Sequence, residues 1–193
     1  MTTPRILALA GSTRNGSFNA RLVRLAAEGA RQAGAEVTLL DLRNFQLPLF
    51  DQDLETEILN ADPLTALRQL FIDHDGLLIA SPEYNSSISP LLKNTIDWVS
   101  RPTDDHATLA GFHGKTAAIM AASPGPLGGL RGLVHLRSIL SNIGVLVLPD
   151  QVTIRSASDA FDDDGKLKEE RWQSNAEGLG KSLAETLLKL NSD

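Results

Sequence analysis

Three short segments hold most of the side chains in this 193-residue sequence that are suited to chemistry. The first reads Gly11-Ser12-Thr13-Arg14-Asn15-Gly16-Ser17-Phe18-Asn19. It lies between an apolar run and a helical pattern, so its backbone amides and the helix start form an anion site. Ser12, Ser17 and Asn19 add neutral donors, and Arg14 adds a planar fork matched to phosphate oxygens. The spacing from Gly11 to Gly16 imitates a triphosphate-binding loop. However, Ser17 stands where that loop carries lysine, and Phe18 where it carries the magnesium-binding hydroxyl. The dinucleotide fingerprint is missing too, because Thr13 takes the place of its second glycine.

The second segment, Ser81-Pro82-Glu83-Tyr84-Asn85-Ser86-Ser87-Ile88-Ser89-Pro90, contains the only tyrosine of the chain. Pro82 and Pro90 stiffen its ends, and the backbone between them is placed to offer amides to a planar heterocycle. Its Asn85-Ser86-Ser87 sequon has no use in a cytoplasmic protein. The third segment, Ser123-Pro124-Gly125-Pro126-Leu127-Gly128-Gly129, has three glycines that permit close backbone approach to a ligand.

These segments sit between regular elements that must position them. Apolar runs at Ile6–Ala10, Val37–Leu40, Leu77–Ala80, Thr116–Ala122 and Val145–Leu148 lack polar alternation, as strands buried on both faces do. Helical patterns alternate with them. Leu22, Leu25, Ala26, Gly29 and Ala33 share one face, ended by Gly34. Leu64–Ile72 is entered through Asp62 as cap and Pro63, and Ser89-Pro90 opens the helix of Leu92, Ile96 and Val99. Leu130, Leu133, Val134 and Leu140 mark a further helix stopped near Gly144. Leu179, Leu183, Leu187 and Leu190 give the closing helix a buried face. Strand–helix alternation with right-handed crossovers predicts a single α/β domain over 1–193, a doubly wound parallel sheet of flavodoxin or dinucleotide-binding order. Ligands in such folds sit at strand ends, where all three segments fall.

Composition removes several function classes. The chain is 42% hydrophobic and carries a net charge of −6, which argues against broad nucleic-acid binding. It has no cysteine, so disulfide, thiolate-metal and cysteine-nucleophile chemistry are excluded. No apolar run approaches the ~20 residues of a membrane span, and no secretory leader opens the sequence, so a cytoplasmic protein is expected. His74, His106, His113 and His135 show no metal-ligand spacing. Asp162-Asp163-Asp164-Gly165 imitates a calcium loop, but Ala160 and Arg171 occupy its end positions, so it reads as an exposed turn. Neither Ser12 nor Ser123 lies in a nucleophile-elbow motif. The first strand ends Ala10-Gly11, without the acids of a phosphoacceptor receiver domain.

Taken together, G-S-T-R-N-G-S-F-N, S-P-E-Y-N-S-S-I-S-P-L-L-K-N-T-I-D-W and S-P-G-P-L-G-G resemble the NADPH-dependent FMN reductase family of flavodoxin-like proteins, across essentially the whole chain. That resemblance implies a three-layer fold with a five-stranded parallel sheet of order 2-1-3-4-5. It implies that Ser12, Arg14, Ser17 and Asn19 hold the FMN phosphate. Pro82, Glu83, Tyr84 and Asn85 would contact the isoalloxazine ring, and Ser123 and Gly125 its pyrimidine side. The helix start near Leu127–Gly129 is expected to point its positive end at that side. Lys93, Asn94, Asp97 and Trp98 are assigned to packing, capping and interfaces. The implied activity is hydride transfer from NADPH or NADH through bound FMN to a small-molecule acceptor, in a homodimer or homotetramer. A flavodoxin-type one-electron carrier is the alternative; Arg14 favours the reductase, because the resemblance gives the carrier no arginine there.

Overall fold

The computed structural model describes residues 2–190. Five parallel strands, β1 (Arg5–Ala10), β2 (Glu36–Leu40), β3 (Gly76–Ala80), β4 (Thr116–Ala122) and β5 (Leu146–Ile154), form one sheet of order β2-β1-β3-β4-β5. This is the flavodoxin order. β3 and β4 are buried along their whole length, which is why their sequences carry no polar alternation.

Among the described residues, seven α-helices connect and cover the strands: α1 (Phe18–Gln32), α2 (Glu55–Ile58), α3 (Asp62–Asp73), α4 (Pro90–Val99), α5 (Leu130–Asn142), α6 (Ala157–Ala160) and α7 (Glu170–Leu190). α1 and α7 pack on one face of the sheet through Leu22, Ala26, Leu179 and Leu183. α3, α4 and α5 cover the other face through Leu67, Phe71, Ile96, Trp98, Leu133 and Leu136. Where α1 crosses α7 the backbones nearly touch. A Cβ on Gly29 would lie 2.0 Å from the Glu177 carbonyl oxygen, and one on Gly180 would lie 1.8 Å from that of Ala26.

Several boundaries differ from the sequence expectation. The cap of α3 is Ala61, with Asp62 inside the first turn beside Pro63. β5 does not stop at Leu148. The register steps from Ala117↔Val147 to Ile119↔Gln151, so Pro149 is absorbed in an irregularity and pairing resumes beyond it. An edge strand tolerates this, because a proline there removes no needed ladder donor. Leu190 is 54% exposed, so it does not belong to the buried face expected of the closing helix.

The segment between β2 and α3 is held down by α4. Asn94 Oδ1 accepts from the Phe50 amide at 2.7 Å, and Asn94 Nδ2 and Trp98 Nε1 both donate to the Pro48 carbonyl. His74 is buried on the side of the sheet away from the three loops, bridging the Leu70 carbonyl and the Thr38 hydroxyl. The Asp162–Gly165 stretch is the turn of a short bridge between buried Phe161 and Leu167.

Candidate active site

The first loop leaves β1 with the Gly11 amide still paired to the Ala80 carbonyl, 2.9 Å away. Ser17 caps α1 by accepting from the Ala20 amide, which leaves its own hydroxyl proton available to a ligand. Ser12 accepts from the Arg14 amide. Arg14 donates to the Gly16 carbonyl at 3.1 Å and stacks 4.9 Å over the Phe18 ring, which holds its exposed guanidinium at the loop. Among the described residues the amides of Asn15, Gly16, Phe18 and Asn19 have no hydrogen-bond acceptor. Unpaired amides at a helix start, two hydroxyls and a guanidinium make a donor set for a phosphate dianion.

The Asn19 side chain is not part of that set. It is 3% exposed, and its amide both donates to the Ala122 carbonyl and accepts from the Ala122 amide, each at 2.9 Å. This pair ties the start of α1 to the end of β4 and satisfies two buried backbone groups. Of Asn19, only the backbone amide, the second of the helix, is left free to meet a ligand.

In the second loop Ser81 and Pro82 are buried, and Tyr84 and Ser87 exchange two backbone hydrogen bonds of 3.0 Å. The hairpin tip between them, Asn85-Ser86, has φ values of 50° and 67°. Both central residues of a tight primed turn require this left-handed region. Asn tolerates it, whereas Ser86 carries a cost of about 1–2 kcal/mol. Local strain of this kind gathers at ligand clamps. The turn leaves Tyr84 half exposed, where it faces Gly11–Arg14 and Ser89–Leu91 across a cleft of about 320 Å³. Ser89 closes the floor by donating to the Gly11 carbonyl at 2.6 Å while capping α4.

The Glu83 side chain is turned to α5, which leaves the Glu83 backbone for the expected ring contact. Its side chain is 7% exposed; one carboxylate oxygen accepts from Arg131 Nη2 at 2.6 Å and the other from the Gly132 amide at 3.0 Å. The helix it reaches, α5, begins at Gly129 (φ 92°), which has no capping side chain of its own. Glu83 therefore caps α5 from another loop, and its charge answers the positive helix end that was expected to face a ligand. Desolvation pushes the carboxyl up, but the Gly132 amide and Arg131 outweigh it and hold Glu83 below the usual carboxylate range. The capping contribution is thus complete above the ordinary value of about 4.3 and is lost as pH falls through the lowered one. Glu83→Gln should lower stability near pH 7 and flatten the acid limb of stability below about pH 5, measured by denaturation at a series of pH values.

The third loop is held by Ser123, whose amide donates to the Ile154 carbonyl and whose carbonyl accepts from the Ala157 amide. A Cβ on Gly125 would meet only the Ser123 hydroxyl, at 3.6 Å, so the loop is open above that residue. Side-chain links thus join the three loops: Ser89 to Gly11, Asn19 to Ala122, and Glu83 to the start of α5.

Residues 4–159 match the NADPH-dependent FMN reductase family. The chain belongs to this family. It is 37% identical over 169 residues to an NAD(P)H-dependent FMN reductase of Pseudomonas aeruginosa, covering 86% of each chain. It is 36% identical over 147 residues to a quinone reductase of Escherichia coli, covering 75% of this chain and 73% of that one. In structure it is similar to a flavoenzyme NAD(P)H:(acceptor) oxidoreductase from Paracoccus denitrificans, with a TM-score of 0.79, 24% identity and coverage of 97% and 98%. The last likeness bears on the fold.

The residues present fit the FMN of an FMN reductase. The donor set of the first loop has the chemistry of a phosphate monoester site, and two of its members, Ser12 and Arg14, line a cleft bordered by Tyr84. Ser12, Arg14, Ser17 and the amides around them would hold the phosphate. Tyr84 and the Pro82–Asn85 backbone would flank the ring. Neither role was traceable to Asn19 or Glu83 side chains, whose partners lie 103 and 49 positions away in the sequence. One signal for Glu83 was present: α5 starts at two glycines, so its cap had to come from elsewhere.

Proposed function

We propose that this protein is an FMN-dependent NAD(P)H oxidoreductase that passes two electrons to a quinone, flavin, azo compound or metal oxyanion. FMN, when bound, supplies the hydride chemistry. The chain's own residues bind and orient. Arg14, the serine hydroxyls and the unpaired amides fix the phosphate end. The stiff hairpin from Pro82 to Ser87 sets the ring plane, and Ser123 with Gly125 closes the far side. The observation that carries this reading is the unpaired donor set of the first loop, whose Ser12 and Arg14 also line the cleft that Tyr84 borders. Oxidation of NADPH or NADH by a quinone, dependent on added FMN, tests it; no turnover with either donor would refute it.

Arg14→Ala removes one charge-assisted contact, an effect of about 1.5–3 kcal/mol, or roughly ten- to hundredfold in FMN affinity. Folding should survive, because the side chain is exposed. Titrating wild type and variant with FMN and riboflavin checks the assignment: the loss should appear with FMN and not with riboflavin.

We further propose that the whole chain acts as one FMN-binding unit and self-associates. Leu127 just before α5 and Leu130 and Val134 on its first turns are 48%, 41% and 61% exposed, and Tyr84 is 51% exposed. Exposed apolar side chains of this size near one helix start suit a homodimer or homotetramer.

A further inference from the structure

Beside the third loop lies a separate pocket of about 550 Å³, lined by Pro126, Arg155, Ser156, Lys168, Trp172 and the acids Asp159 and Glu169. We propose that it binds the adenosine-phosphate half of the nicotinamide dinucleotide; this rests on the oxidoreductase reading above.

The volume suits a nucleoside-sized group. Trp172 packs partly against the core and is otherwise exposed where it lines the pocket, an aromatic surface on which a purine can stack. Arg155 and Lys168 are exposed, and their side chains have no partner among the described residues, so both are free to meet phosphate oxygens. Asp159 and Glu169 are also unpaired there and match a ribose diol, the use that dinucleotide folds make of an acid. A purine plate, cations and carboxylates in one cavity make the recognition set of a nucleotide, not of a quinone.

Position agrees with composition. Ser156 sits in the left-handed region at φ 46°, and its amide reaches the Gly125 carbonyl at 3.4 Å, which joins the pocket wall to the third loop. The pocket therefore opens next to the expected pyrimidine side of the flavin. From the strands under the ring to β5 is one or two strand spacings, about 5–10 Å, a span an extended dinucleotide covers. Lys168, Glu169 and Trp172 lie outside the matched residues 4–159, so this wall is not part of what the family match covers.

The test uses the FMN-loaded protein. Trp172→Leu keeps apolar bulk and removes the plate. KM for NADPH and NADH should rise roughly five- to hundredfold with kcat little changed. Reduced nicotinamide mononucleotide, which lacks the adenosine half, should show no comparable rise. The exposed pair Arg155→Gln with Lys168→Gln should raise KM for the dinucleotides in the same selective way. Titration with 5′-AMP should quench Trp172 fluorescence saturably, against the buried second tryptophan, Trp98. Unchanged dinucleotide KM values, an equal rise for the mononucleotide, or absence of a saturable AMP response would overturn the pocket. Should neither dinucleotide be oxidised at all, the oxidoreductase reading falls, and the AMP titration still decides the pocket.

Discussion

Asn19→Leu is expected to destabilise the protein by about 2–6 kcal/mol, because it strips partners from two buried backbone groups at about 1–3 kcal/mol each. Leucine keeps the γ-branched shape of asparagine and is bulkier, so no cavity forms. What is lost is the paired amide bridge to Ala122, both of whose arms measure 2.9 Å. For a chain of this length the melting temperature should fall by roughly 2–4 °C per kcal/mol. FMN affinity should fall with it, since the bridge sets the distance between the phosphate loop and the end of β4. A calorimetric scan and an FMN titration of the one variant measure both. A melting temperature within 2 °C or so of wild type would mean the bridge is dispensable.

Gly180→Ala should cost about 3 kcal/mol or more, although alanine ordinarily favours a helix interior by nearly 1 kcal/mol. The clash decides the sign. The new Cβ would stand 1.8 Å from the Ala26 carbonyl oxygen, and backbone cannot move aside as a flexible side chain can. Two positions earlier, a Cβ on Gly178 meets nothing within 4 Å, and Gly178 is exposed. Gly178→Ala should therefore stabilise by about 0.5–1 kcal/mol. Opposite signs for two Gly→Ala changes in one helix, read from denaturant midpoints, isolate the α1–α7 contact from helix propensity.

The parts of this molecule that were legible in sequence are those governed by local rules. Unalternating apolar runs gave the strands, and Ser89 with Pro90 marked the start of α4 correctly. Strand order was not readable from periodicity, which left two doubly wound orders; the resemblance supplied the right one. The true end of β5 was hidden because Pro149 ordinarily stops a strand, and only an edge position with a register step lets pairing resume. At the site, Ser12, Arg14 and Tyr84 line one cleft, and Ser17 caps the helix beside it. Asn19 and Glu83 carry the right residue types for ligand contact, but their side chains serve long-range links. Side-chain chemistry suggests a donor or acceptor; only tertiary contacts tell whether backbone has already claimed it.

The most direct test of the oxidoreductase reading is anaerobic. Protein reconstituted with stoichiometric FMN, freed of excess by gel filtration, is mixed with NADPH in the absence of any acceptor. The visible flavin absorption should bleach with about one equivalent of NADPH, as a two-electron hydride transfer requires, and return when a quinone is added. FMN that washes off the protein, or bound flavin whose spectrum neither NADPH nor NADH changes, would contradict the account.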